Sequence, residues 1–250
     1  MTTAPEYYVY TGSKRRKIPD HVTHVLIAKA LKFVRKRAFA GHPNIQEVIC
    51  HDGVLKIEQE AFNYCPQLRR VIMPGVKEVD QDAFNNCTAL ASIECGKLET
   101  IEGWAFLGCQ SLSSIDLPSI KIVLAWAFAR CKNLTNVKLG KELETIGTGV
   151  FYYCRSLERI TLPLKDGVIS ATNTFQYCER LSHVDLVGGV HENVAALLLE
   201  EWENRMNEEI VSINQILTRT SSGNDMKRGG KAKAIRKWIT SASQNYSLQS

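Results

Sequence analysis

The phrase Ala-Phe-x-x-Cys returns along this chain at almost constant spacing, and no other feature limits the fold as tightly. Its Phe falls at Phe39, Phe62, Phe84, Phe106, Phe128, Phe151 and Phe175, 22 to 24 residues apart. Three residues after these stand Cys65, Cys87, Cys109, Cys131, Cys154 and Cys178, with His42 in the first copy. A second element follows each phrase: Leu68/Val71/Met73, Leu90/Ile93/Cys95, Leu112/Ile115/Leu117, Leu134/Val137/Leu139, Leu157/Ile160/Leu162 and Leu181/Val184/Leu186. Ile45/Val48/Cys50 and Val22/Val25/Ile27 extend the series to eight. A fixed period of this length overrides local helix or strand readings and marks stacked coils, none of which buries its apolar face alone.

Each position of the period has a physical reading. The V-x-L alternation is the period-two signature of a short strand with one buried face, so eight copies predict one parallel sheet of about eight short strands. Apolar residues five positions before the Phe, such as Val79, Ile101, Val123 and Ile146, turn the chain across the back of the coil. Ala lets neighbouring coils approach, and burying each Phe ring contributes a few kcal/mol. An apolar fraction of 44% in 250 residues suffices for such a core and excludes a disordered chain.

"LETIEGWAFLGCQSLSSIDLP" and "LETIGTGVFYYCRSLERITLP" carry a family resemblance. They resemble the BspA-type leucine-rich repeat, whose I-x-x-x-A-F-x-x-C-x-x-L-x-x-I-x-L-P phrase they reproduce over roughly residues 18–187. The opening "YVYTG" and a helical tail resemble versions abundant in diatoms. The resemblance implies an α/β fold class, a right-handed leucine-rich-repeat solenoid used for protein–protein contact, with no shared catalytic site. His42 for Cys, Val150 for Ala and the irregular "PLKDGVISATNTF" depart from the phrase and suggest end repeats or a bent coil.

Six cysteines in one column raise the question of disulfides or metal. Stacked coils lie about 4.8 Å apart, and equivalent side chains point the same way, so their Cβ atoms sit just outside the range of about 3.5–4.5 Å that a disulfide prefers. No two cysteines have C-x₂-C spacing, so no zinc site is expected. A ladder of buried thiols fits better, and no cofactor or metal is expected.

The outward strand residues are where a solenoid would carry chemistry. They are His24/Leu26, Glu47/Ile49, Arg70/Ile72, Ser92/Glu94, Ser114/Asp116, Asn136/Lys138, Arg159/Thr161 and His183/Asp185. The two histidines lie about seven strand spacings apart, roughly 34 Å, too far to share a substrate. Ser182 and His183 are adjacent on a strand and point to different faces, so they and Asp185 are no triad. With no Gly-rich phosphate loop and no H-E-x-x-H, no catalytic residue is assigned and an enzyme is not expected. The mixed polar face, with Arg70, Glu94, Asp116, Lys138 and Arg159, is instead the candidate surface for a protein partner.

Charge divides the chain. Residues 11–40 hold nine Lys or Arg against one acid, residues 41–226 hold 16 basic against 24 acidic, and residues 227–250 hold six basic and no acidic residue. The basic run Lys14, Arg15, Arg16, Lys17 supports an alternative function as an adaptor for nucleic acid or an acidic membrane surface, although no aromatic residues interleave with it. The first residues lack a charged stretch leading into an apolar run, and the longest apolar cluster, Val194 to Leu199, is too short to span a membrane. The expectation is an intracellular protein, cytoplasmic or nuclear.

From Val190 the period changes. Val194, Leu198, Trp202, Met206, Ile210, Ile213 and Leu217 share one helical stripe, and "KAKAIRKWI" reads as a short basic helix with Ile235, Trp238 and Ile239 on its apolar side. An open last coil needs a cap, which this pair supplies. The expected organisation is an entry segment at 1–17, a solenoid at 18–187, a helical cap at 188–239 and a frayed tail at 240–250. A monomer is expected, with pairing through the C-terminal helix the alternative. Trp104 and Trp126, both two residues before the core Phe, replace the charged Arg37, Glu60 and Asp82 of sister coils. They are expected on a partly exposed ridge about 4.8 Å apart. There they form an aromatic anchor for a partner or lie flat over neighbouring backbone.

Overall fold

The computed structural model describes residues 4–13, 18–187, 199–220 and 229–247. The eight V-x-L runs form strands where their alternation places them: β2 (His24–Ile27), β4 (Glu47–Ile49), β6 (Arg70–Ile72), β8 (Ser92–Glu94), β10 (Ser114–Leu117), β12 (Asn136–Leu139), β14 (Arg159–Leu162) and β15 (His183–Leu186). All pairings are parallel and in register, so Val25, Val48 and Val71 stack in one buried column and Val137, Ile160 and Val184 in another. A ninth strand, β1 (Tyr7–Tyr10), adds to the edge of β2. The period does not announce it, because it lies ahead of Val22/Val25/Ile27, the first run of the series.

The back of each coil is more regular than its sequence suggests. The residues that were expected only to turn the chain form a second parallel sheet of two-residue strands: β3 (Phe33–Val34), β5 (Lys56–Ile57), β7 (Glu78–Val79), β9 (Thr100–Ile101), β11 (Ile122–Val123) and β13 (Thr145–Ile146). Between them, around each Phe, the backbone turns tightly and donates one coil onward, as in Phe62 N–H to Ala83 C=O at 2.8 Å and Phe106 N–H to Ala127 C=O at 2.8 Å. Bonds within the turn, such as Asn63 N–H to Glu60 C=O at 3.2 Å, alternate with these, so each coil depends on its neighbours for a share of its backbone partners.

That turn requires a left-handed residue two positions before the Phe and another two positions after it. The first column holds Arg37, Glu60, Asp82, Trp104, Trp126 and Gly149, the second Gly41, Tyr64, Asn86, Gly108, Arg130, Tyr153 and Tyr177, with φ between 56° and 72°. No β-branched residue occurs in either column. A side chain in this conformation costs roughly 1–2 kcal/mol. Tyr64, 58% exposed and at φ 56°, makes the test clean: Tyr64→Gly is expected to raise stability by roughly 0.5–1 kcal/mol in urea unfolding, after allowing for the greater freedom of glycine in the unfolded chain. A loss of stability would mean that the turn does not impose this conformation.

Inside, the rings of Phe39, Phe62, Phe84, Phe106, Phe128, Phe151 and Phe175 stack nearly parallel, with centroids 4.8–5.8 Å apart. Tyr10 closes the first end, tilted 60° against Phe39 at 4.9 Å. All eight cysteines are free and buried. The six of the repeat column each donate S–H to the Phe carbonyl of the preceding coil at 3.0–3.3 Å, from Cys65 to Phe39 C=O through Cys178 to Phe151 C=O. His42 does the same work in the first copy, its Nε2 lying 3.1 Å from Pro19 C=O. The column thus wants a buried donor, which accounts for both its repetition and its one exception.

The last coil is closed by α1 (Leu199–Arg219) and α2 (Gly230–Ser247). Met206, Ile213 and Leu217 of α1 and Ala232, Ile235, Trp238 and Ile239 of α2 join the core. Polar side chains stand in for the missing next coil: Asn214 Oδ1 accepts from Val184 N–H at 2.8 Å, and Lys231 Nζ donates to Leu181 C=O at 2.6 Å and Glu179 C=O at 3.2 Å. Gly229, at φ 71°, lets the chain pass so close that a Cβ would fall 2.0 Å from Thr172 O. The helix runs on to Ser247, which corrects the expected frayed tail. Ala242 is buried and the Thr240 hydroxyl donates to Asp166 Oδ1 at 2.8 Å, so polar sequence there still finds partners. Val194 and Leu198 of the expected stripe lie outside the described residues.

Candidate interaction surface

The strands hold their outward side chains in two register-matched columns on a rigid face. In one, Val9, Leu26, Ile49 and Ile72 are direct register partners in succession, and the row continues with Glu94. Val9 is 55% exposed and the next three are half-buried, so the first half of the face carries an aliphatic stripe that touches solvent. Beside it run Tyr7, which is exposed and tilted against His24 at 5.0 Å, then His24, Glu47 and Arg70. Arg70 bridges Glu47 at 3.3 Å and Glu94 at 2.7 Å, and His24 lies 3.7 Å from Glu47. Exposed pairs of this kind order the surface more than they stabilise it. The stripe is apolar, rimmed by charge of both signs and bounded by an aromatic ring.

The second half is polar. Arg159 pairs with Asp185 at 2.6 Å. Asp116 and Lys138 are register partners on adjacent strands, yet neither makes an ion pair among the described residues. The candidate residues Arg70, Glu94, Asp116, Lys138 and Arg159 therefore share one face, with Arg70 and Glu94 in direct contact. Sequence reasoning missed Tyr7 and Val9, whose only signal was the short alternation "YYVY" ahead of the first phrase.

Trp104 and Trp126 lie on the opposite, turn side. Trp104 is 41% exposed. Trp126 is half-buried over Gly149 of the next coil, where a Cβ would meet its ring at 2.8 Å, and it stands edge-on to Tyr152 at 5.1 Å. Tyr152, Tyr153 and Tyr177 continue this aromatic group, with the Arg155 guanidinium 4.8 Å above Tyr153. Trp126 thus shields backbone, while Trp104 is the freer ring.

Lys14, Arg15, Arg16 and Lys17 lie outside the described residues. On α2, Lys233, Arg236 and Lys237 line a cleft with Thr240 and Ser241, and these three cations make no ion pair among the described residues. Among those residues no group of three or more His, Cys, Asp or Glu could hold a metal ion, and no helix is long and apolar enough to cross a membrane. Burial pushes Cys50, Cys95, Cys131 and Cys178 up to about 12 and raises Cys87, Cys109 and Cys154 well above their ordinary value. These thiols stay protonated and are poor nucleophiles or ligands.

A stack of coils carrying one parallel strand per turn on an open face defines a leucine-rich-repeat solenoid. More narrowly, the chain belongs to the BspA-type leucine-rich repeat proteins: the model of the BspA type leucine-rich repeat region matches residues 19–123 and 99–195. Among solved structures it is similar to a T. pallidum leucine-rich repeat protein, at 28% identity and a TM-score of 0.56 over 71% of this chain and 78% of that one. It is also similar in fold to a leucine-rich repeat protein from Bacteroides ovatus, at 21% identity and a TM-score of 0.55 over 68% of this chain. The match spans about half of that protein, 47% of its length. A search of curated proteins finds no match. Membership in this repeat family points to an interaction module.

Proposed function

We propose that this protein is a non-catalytic recognition module that binds a partner protein through its strand face. The observation that carries the reading is the register-aligned stripe of Val9, Leu26, Ile49 and Ile72 running into the charges of Arg70 and Glu94. Interfaces combine an apolar centre with a polar rim, and a face built on strands offers both without reordering. The partner's chemistry follows: an aliphatic or aromatic anchor flanked by charges of both signs.

The test is a comparison of variants as bait in native lysate. Ile49→Ser with Ile72→Ser should lose at least tenfold in capture of the partner, about 1.4 kcal/mol. Trp104→Ala with Trp126→Ala, on the turn side, should retain capture and leave stability within about 1 kcal/mol. The reverse pattern would place recognition on the aromatic ridge. A second reading, binding of nucleic acid or acidic membrane, is favoured by the row of Lys233, Arg236 and Lys237, which make no ion pair among the described residues. It requires affinity for such polyanions that falls steeply with added salt.

A further inference from the structure

The strand face is not one continuous sheet. Hydrogen-bonded ladders join β1, β2, β4, β6 and β8 into one group and β10, β12, β14 and β15 into another, and none joins β8 to β10. The edges of β8 and β10 face each other across this break in the ladder. The edge of β15 lies against α1, where Asn214 Oδ1 takes the N–H of Val184. The edge of β1 has no neighbouring strand among the described residues.

The one pairing of β1 fixes which of its groups point outward. The carbonyls of Glu6 and Tyr10 accept from His24 N–H at 3.0 Å and Ala28 N–H at 2.9 Å, so the even-numbered residues face β2. By the alternation of a ladder, Tyr7 and Val9 turn their N–H and C=O away from the sheet. None of these groups meets a partner among the described residues. Water can serve them singly, but the row is spaced to pair with another extended backbone. Since no described strand lies beyond the edge, nothing fixed sets the distance of approach, as the coils do on either side of the ladder break. Native edges are blunted by charge, proline or a bulge, and "YYVY" has none of these. Its outward side chains are apolar instead: Tyr7 and Val9 are more than half exposed, while Tyr10 packs in the core.

We infer that the partner adds an extended segment, acidic at its flank, as the next strand on β1. The inference rests on the strand face being the recognition surface and names the conformation the partner takes at its boundary. Backbone pairing with Tyr7 and Val9 gives affinity, and alternate side chains of the added strand give selectivity. Those on the front extend the stripe of Val9, Leu26, Ile49 and Ile72 by one position, so they are apolar. Charge decides what flanks them. Lys29 follows Ala28, the residue bonded to the end of β1, and Leu31 N–H closes a turn onto Ala28 C=O at 2.9 Å that keeps Lys32 nearby. Both lysines are exposed and make no ion pair among the described residues. Residues 11–40 hold nine basic residues against one acid. A carboxylate past the added strand meets these cations, whereas a second copy of this chain brings its own to the same place and is repelled.

The probe is the acetylated, amidated peptide Glu-Val-Thr-Val-Thr-Val-Glu, titrated into the ¹⁵N-labelled full-length protein, with lysine in place of both glutamates as the control. Saturable slowing of hydrogen exchange at the amides of Tyr7 and Val9, by at least about tenfold, with Tyr8 and Tyr10 unchanged, is the expected result. The lysine peptide should bind about tenfold more weakly at low salt, a gap that narrows as salt is added. Val9→Pro removes one outward donor and no ladder bond, so it should unfold in urea as the parent does yet bind the peptide about tenfold more weakly, while Val9→Thr, which keeps the N–H, holds it. No saturable effect, an effect spread equally from Tyr7 to Tyr10, or equal binding of both peptides would overturn the inference. Protection of Tyr7 and Val9 in the free protein, together with a dimer in sedimentation, would make a second copy the occupant and overturn it too. Should Val9→Pro fail to fold, the exchange pattern of the parent chain decides. Partner capture that is lost with Ile49→Ser and Ile72→Ser but kept with Val9→Pro, when the titration is also silent, would sink the edge alone. Capture indifferent to both would sink the strand-face reading itself.

Discussion

Raising the pH from 7 to 10 is expected to cost the native state roughly 7 kcal/mol, most of the stability of a typical domain. Seven buried thiols have folded-state values raised above the ordinary 9.0, four of them to about 12. The sign follows from that direction. Below pH 9 the thiols are protonated in both states and cost nothing. Between about 9 and 12 only the unfolded chain releases their protons, so stability falls as pH rises. At pH 10 each thiol contributes about 1.4 kcal/mol of loss, and the sum reaches the whole stability of a typical domain. Lys231, pulled by burial down to about 8, acts in the opposite direction between about 8 and 10.5 and offsets roughly 2–3 kcal/mol of the thiol sum. Urea unfolding at pH 7, 8.5 and 10 reads the slope. A flat profile would show that the thiols are not sequestered, and Cys109→Ala with Cys131→Ala should make the slope shallower.

The second large effect concerns the ring column. Phe106 is fully buried between two stacked rings at 5.1 and 5.2 Å, and Phe106→Ala is expected to cost about 3–5 kcal/mol. Phe39 has a stacked neighbour on one side and the tilted Tyr10 on the other. Phe39→Ala should therefore cost less, because the entry segment can settle into the space more easily than two fixed coils can. Equal losses in chemical denaturation would deny that the coils behave as a one-dimensional stack.

Much of this architecture is legible in the sequence because a repeat restates each constraint. The columns of Phe, Cys and Val or Ile show what every coil buries, and even the exception at His42 obeys the donor requirement of its position. What the sequence hides is whatever happens once or briefly. Strands of two residues, such as β7 and β9, are too short for alternation to show. The strand at Tyr7–Tyr10 stands outside the period and has no sister copy for comparison. The ladder break is silent for a different reason: "SIE" and "SID" carry the same residue types as paired strands, with no proline or insertion between Ala91 and Leu117. The tail misled by composition, since the small and polar residues after Ile239 read as frayed. Yet Ala242 needs no large side chain to pack, and Thr240 needs only Asp166.

Amide hydrogen exchange on the protein alone and with its captured partner bound tests the recognition surface most directly. In the free protein, Ile93, Ser114 and Asp116 should exchange faster than the laddered Val71 and Val137, because only the former lack a neighbouring strand. On binding, protection should rise along β2, β4, β6, β8 and β10, while the ridge around Trp104 and Tyr153 remains unchanged. Protection confined to that ridge, with the strand face as exchangeable as before, would contradict the proposed mode of recognition.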